Sequence, residues 1–118
     1  MRILRLVVAL TAAISSPVFA QGEAGMRTGN DVLAVCTSAD SLDQLTCAAW
    51  VTGLTSGFQV MIVLTGRRIV CFPNGSDTGQ YRDVLIAYLR RHPERRHGDA
   101  GAIALAALSR TFPCPSSS

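Results

Sequence analysis

The sequence predicts an all-α fold, a small disulfide-linked bundle of about four helices around a long central helix. Three observations carry this. Ser41 to Gly66 holds no charged residue after Asp43, and its apolar residues recur at steps of three and four. Tyr81, Val84, Leu85, Tyr88 and Leu89 make a second stripe at helical spacing. All four cysteines, Cys36, Cys47, Cys71 and Cys114, follow an apolar leader, and an even count in a short exported chain reads as two disulfides.

The central helix is justified first. Ser41 with Gln44 three residues on fits a capping box. Cys47, Val51, Leu54, Phe58, Met61 and Ile62 line one face, and Trp50, Gly53, Gly57, Val60 and Leu64 widen it, leaving Thr52, Thr55, Ser56 and Gln59 as a thin polar strip. So broad an apolar face predicts a core helix with the rest of the chain packed around it. Gly53 and Gly57 predict a closely approaching neighbour, because glycine otherwise weakens a helix. The segment could reach across a bilayer, but the polar strip and the glycines argue against a span. Val60 to Leu64 is rich in β-branched residues, yet the helical spacing continues through it.

At the start of the chain, Arg2 and Arg5 precede the apolar run Leu6 to Ile14, and Val18-Phe19-Ala20 has a small-x-small cleavage pattern. That predicts a signal peptide over 1–20 and one exported domain over 21–118, with no membrane anchor after cleavage. Without Arg2 and Arg5, nine arginines face eight carboxylates, and there is no lysine. So small a charge gives no steering toward nucleic acid.

Gln21 to Thr28 reads as a disordered lead-in. Asn30 is expected to cap a short helix, Asp31 to about Thr37, turning Val32, Leu33 and Cys36 inward. Of three possible connectivities, Cys36–Cys47 with Cys71–Cys114 is favoured. The first pair brackets a short turn between helices and the second ties the chain end to its middle. On the loop-entropy model they are worth ~3 and ~4 kcal/mol. Zinc is disfavoured, since no C-x-x-C pair occurs. Gly66 should end the long helix, Pro73-Asn74-Gly75 should form a tight turn, and Asp77 or Thr78 should cap the next helix, which Pro93 stops. In the last helix, Ala100 to Arg110, Ala104, Leu105, Leu108 and Phe112 are expected in the core. Ile103 and Ala107 are expected to point elsewhere, toward a second subunit or partner.

Between those helices lies Arg90 to Asp99, with four arginines and two histidines in ten residues. A solvated loop near a helix end is the plain reading. The sharper one is a recognition loop in which Arg90, Arg91, His92, Glu94, Arg95, Arg96 and His97 face a polar or acidic partner. No nucleophile elbow, no phosphate-cradling loop, no catalytic constellation and no cofactor motif is present. The sequence reads as a binding protein and not an enzyme.

GNDVLAVC, CAAWVTGLTSGF, C-F-P before a helix, YLRRHPE and ALSRTFPC together resemble the Tai/Rap-type immunity proteins, over Gly29 to Cys114. The chain departs from their pattern at Phe72, where an isoleucine is usual before the proline, and at Trp50, where tyrosine is usual. The resemblance implies an all-helical, disulfide-bonded, often dimeric periplasmic protein that neutralises a peptidoglycan amidase toxin delivered by type VI secretion. It implies occlusion as the mechanism, with Arg90 to Asp99 entering the amidase cleft and Arg91, Arg95 or Arg96 at its centre. The reading from another class is a small periplasmic acid-responsive chaperone, with His92 and His97 sensing pH, or a subunit of an envelope complex.

Overall fold

A computed structural model describes residues 25–116. The signal peptide expected over 1–20, and Gln21 to Ala24 after it, lie outside the described residues. The chain forms α1 (Gly29–Cys36), α2 (Ser41–Thr65), α3 (Thr78–Arg91), a single 3-10 turn (Pro93–Arg95) and α4 (Ala100–Thr111). Among the described residues there is no strand, only an isolated antiparallel bridge between Thr28 and Asp99. The all-α, four-helix prediction holds.

The two disulfides are the pair favoured from the sequence. Cys36–Cys47 joins the end of α1 to the second turn of α2 with Cα atoms 5.1 Å apart. Cys71–Cys114 ties the segment after α2 to the chain's end at 4.9 Å. Beside the second bridge Cys71 N donates to Phe112 O at 3.0 Å, and Phe72, Tyr81 and Phe112 form an aromatic cluster with centroids 4.4 to 5.8 Å apart. The Pro73 turn forms as expected, with Ser76 N donating to Pro73 O at 3.1 Å and Gly75 at φ 83°. Asp77 caps α3 in a reciprocal box with Gln80.

Two caps differ from expectation. Thr28, not Asn30, caps α1, forming a box with Asp31 that starts the helix at Gly29. Asp40, not Ser41, caps α2, its carboxylate accepting from Leu42 N at 2.9 Å and Asp43 N at 3.1 Å. Ser38 Oγ fixes Asp40 by accepting from its amide at 3.1 Å. An ionised carboxylate is a strong acceptor for the dipole's positive end, so it outcompetes the neighbouring hydroxyl. The lead-in is also better placed than expected. Met26 packs on the core, and Thr28 is bridged to Asp99.

The core sits where α1, α3, α4 and the first half of α2 meet. Leu85, Leu89, Ala104, Leu108 and Val51 are at most 1% exposed. Burying such side chains contributes about 1.5–3 kcal/mol each. In α4 the inward arc is Ala100, Ile103, Ala104, Ala107 and Leu108. Ile103 and Ala107 are thus core residues, contrary to the sequence reading, while Leu105 and Phe112 are only half-buried.

α2 departs most from its expected depth. Only Cys47, Val51 and Thr55 are buried along its 25 residues. Gly53 and Gly57 approach nothing, since an added Cβ at either would find no neighbour within 4 Å. The reason is length. At 1.5 Å per residue α2 is about 38 Å long, whereas α1, α3 and α4 reach only about 12, 21 and 18 Å. Three short helices cannot enclose it. Gly66 does end it, at φ 70°. α2 is also long and apolar enough to cross a membrane, with 11% of that window buried in the fold.

Candidate partner-binding loop

The α3–α4 connection is built from the end of α3 outward. Pro93 denies α3 another turn, so the chain switches to the 3-10 turn, held by Arg95 N donating to His92 O at 3.0 Å. That turn swings Arg96 back over α3. Its Nε donates to Leu89 O at 2.6 Å and its Nη2 to Arg90 O at 3.3 Å. A guanidinium on the last carbonyls satisfies orphan acceptors and complements the helix dipole.

The backbone of the loop is fastened to the start of α1. Asn30 N donates to Arg96 O at 2.8 Å, Gly29 N to Gly98 O at 3.2 Å, and Ala100 N to Arg27 O at 2.9 Å. Asp99 then caps α4 by accepting from Ala102 N at 2.8 Å. Gly29 is required at this junction. A Cβ there would lie 2.8 Å from Leu89 Cδ2, 2.9 Å from Ile103 Cδ1 and 3.0 Å from Arg96 O.

Side chains cluster around Tyr88, which is only 4% exposed. Arg95 Nη1 donates to Tyr88 Oη at 3.2 Å. The His92 ring lies 4.3 Å from the Tyr88 ring, with its Nδ1 3.2 Å from Glu94 Oε1. Arg95 Nε is 3.7 Å from the same carboxylate oxygen. The Glu94 carboxyl is held below its usual range, first by its own backbone amide and then by His92. Beside this cluster a shallow cleft of about 380 Å³ opens between His97, Asp99, Ala102 and Ala106.

The seven candidate residues therefore divide. His92, Glu94 and Arg95 meet at Tyr88. Arg96 turns inward as a structural cap. Arg90, Arg91 and His97 are exposed, and their side chains make no bond within the described residues. Sequence reasoning missed Tyr88 as the loop's anchor and Thr28–Gly29 as its clamp. The signal for the clamp was present as the Thr28-x-x-Asp31 capping pattern. No group of three metal-ligating side chains exists among the described residues, and every cysteine is in a disulfide.

The polar loop is thus fixed by backbone bonds at both flanks, on a disulfide-clipped helical frame. The chain belongs to the Rap1a immunity protein family, whose pattern matches residues 28–114. No curated protein matches it, and no solved structure does. Membership implies an immunity function against a secreted toxin, and the two disulfides fit an oxidising compartment.

Proposed function

We propose that this chain, exported to the periplasm by residues 1–20, neutralises a peptidoglycan amidase toxin of a type VI secretion system by inserting Arg90 to Asp99 into its substrate cleft. The observation that carries this is the rigidity of the loop. Its backbone is bonded to α1, α3 and α4, so it enters a complex without a large ordering cost. Arg91 projects free beside it, and Arg95 keeps an exposed guanidinium steadied by Tyr88. Both suit a cleft that binds carbonyl- and carboxylate-bearing cell-wall peptide.

The test is a pull-down with the oxidised protein against secreted and periplasmic proteins of its own source and close competitors, followed by affinity measurement. An amidase should be retained and its hydrolysis of peptidoglycan blocked, with Arg91→Ala or Arg95→Ala weakening binding roughly 10-fold or more. Retention unaffected by both substitutions would sink occlusion by this loop. Recovery of many unrelated unfolded proteins, increasing in acid, would replace the proposal with the chaperone reading.

A further inference from the structure

Beyond Thr65 the chain turns back along the domain. Gly66 takes φ 70°, and the Arg67 amide donates to Thr65 Oγ1 at 3.2 Å, which fixes where the reversal starts. The Cys71–Cys114 bridge then ties the returning segment to the chain's end, and Val70 is buried with the core. Between the end of α2, this segment and α4 lies a small pocket of about 140 Å³. Phe58, Met61 and Ile62 line it from α2, Ile69 and Val70 from the returning segment, and Leu105 from α4. Leu105 stands off the inward arc of α4, which is why it is half-buried.

The one charged lining residue is Arg67, whose guanidinium makes no bond within the described residues. No Asp or Glu occurs between Gln44 and Ser76, or after Asp99. The elements that build the pocket therefore hold no counter-ion for it. Size and chemistry narrow what fits. An apolar cavity of roughly 150 Å³ takes a benzene-sized group of six carbons. A helix, about 10 Å across with its side chains, is too wide to enter, so the pocket receives one chain end. Its side chains offer no acceptor stronger than the Met61 sulfur, and an amide or hydroxyl pushed inside would lose its water without replacement. Bare hydrocarbon loses nothing polar. At the mouth a guanidinium is a forked donor matched to a carboxylate.

We propose that this pocket binds a free medium-chain alkyl carboxylate, with about six carbons buried and the carboxylate paired with Arg67. Met61 and Ile69, each about half exposed, cover the carbons nearest the head group. The site shares no residue with Arg90 to Asp99.

The experiment titrates the oxidised protein with octanoate, below its micellar concentration, and follows methyl resonances. Saturable shifts should appear at Met61, Ile62, Ile69, Val70 and Leu105, and not at Val32 or Val35 of α1. Octanol, without the charge, should bind at least ~10-fold more weakly, and Arg67→Gln should bring octanoate down to the same level. Ile69→Trp, at a half-exposed position, should fill the pocket and abolish binding with helical circular dichroism unchanged. No saturable shift at millimolar octanoate overturns the proposal, and so does equal binding of octanol by the unaltered protein. Shifts spread evenly along the exposed side of α2 overturn it as detergent-like adsorption. A protein that ignores octanoate but co-sediments with anionic vesicles overturns it in favour of a membrane. One that ignores octanoate and has the mass of two chains overturns it in favour of a second copy. None of these readouts involves a toxin, so failure here and failure of the amidase proposal are separable.

Discussion

The α3–α4 loop and the outer half of α2 invert what their compositions suggest. Arg90 to Asp99 is the most polar stretch of the domain, yet its backbone is bonded to the start of α1 and flanked by the α3 and α4 caps. Val60 to Leu64 is among the most apolar, yet it stands mostly in solvent, with Val63 83% exposed. Polarity therefore does not measure order here. What fixes a segment is the number of neighbours its topology supplies. The loop lies where three helices converge, whereas the end of α2 outruns its partners. The lesson is that order follows the neighbours a segment is given, whatever its polarity.

The sharpest way to break that comparison is to truncate one leucine in each kind of place. Leu108 is completely buried, so Leu108→Ala should cost about 3–5 kcal/mol of unfolding free energy through lost transfer and a residual cavity. Leu64 is 73% exposed, so in dilute protein Leu64→Ala should cost within about 0.5 kcal/mol. Urea unfolding followed by circular dichroism measures both. Equal costs for the two substitutions at low concentration would mean that α2 is enclosed after all.

The sequence was legible where one residue settles one local question. Gly66 could only be a left-handed stop, Pro93 could only end α3, and the short Cys36–Cys47 loop made its pairing the natural one. It was illegible where several neighbours could each serve. Ser38, Asp40 and Ser41 all offer oxygens to the first turn of α2, and the choice depends on backbone direction. In α4 the alanines carry little face information, so Ile103 and Leu105 could not be ranked before the helix was docked. Periodicity turned Cys47 and Val51 inward, but it left Thr55, which is buried, on the polar strip, and it set Met61, Val60 and Leu64 on a face that the short partner helices leave exposed. In the loop, Arg91, Arg95 and Arg96 looked equivalent until the 3-10 turn folded Arg96 back onto α3.

Comparing two of those arginines separates scaffold from surface. Arg96→Ala removes donors to Leu89 O and Arg90 O and should cost about 1–2 kcal/mol. It should also raise amide exchange in the last turn of α3. Arg91→Ala removes no bond within the described residues, and stability should change within about 0.5 kcal/mol. A toxin-binding assay should then rank them in a distinct way. Arg91→Ala weakens binding with the fold intact, while Arg96→Ala weakens it only as far as the loop loosens. If Arg96→Ala leaves both stability and exchange unchanged, the inward cap does not hold the loop.

The smallest effect expected lies at the clamp beneath the loop. Asp31 is held below its usual carboxyl range, chiefly by the Thr28 amide and then by the Thr28 hydroxyl, which donate at 2.8 Å each. A carboxyl depressed in the folded state binds its proton more readily in the unfolded chain. Its contribution to stability is therefore complete above the unfolded value near 4 and disappears as pH falls through the lower folded value. Asp31→Asn should lower the melting temperature slightly at neutral pH, with the gap to the unaltered protein closing below about pH 4. A gap constant across that range would show that the capping geometry, and not the charge, is what Asp31 supplies. A closing gap would instead locate the acid sensitivity of this domain in the junction that fixes Arg90 to Asp99, leaving the α2 face, with no titrating carboxylate from Gln44 to Ser76, unaffected by the same acid.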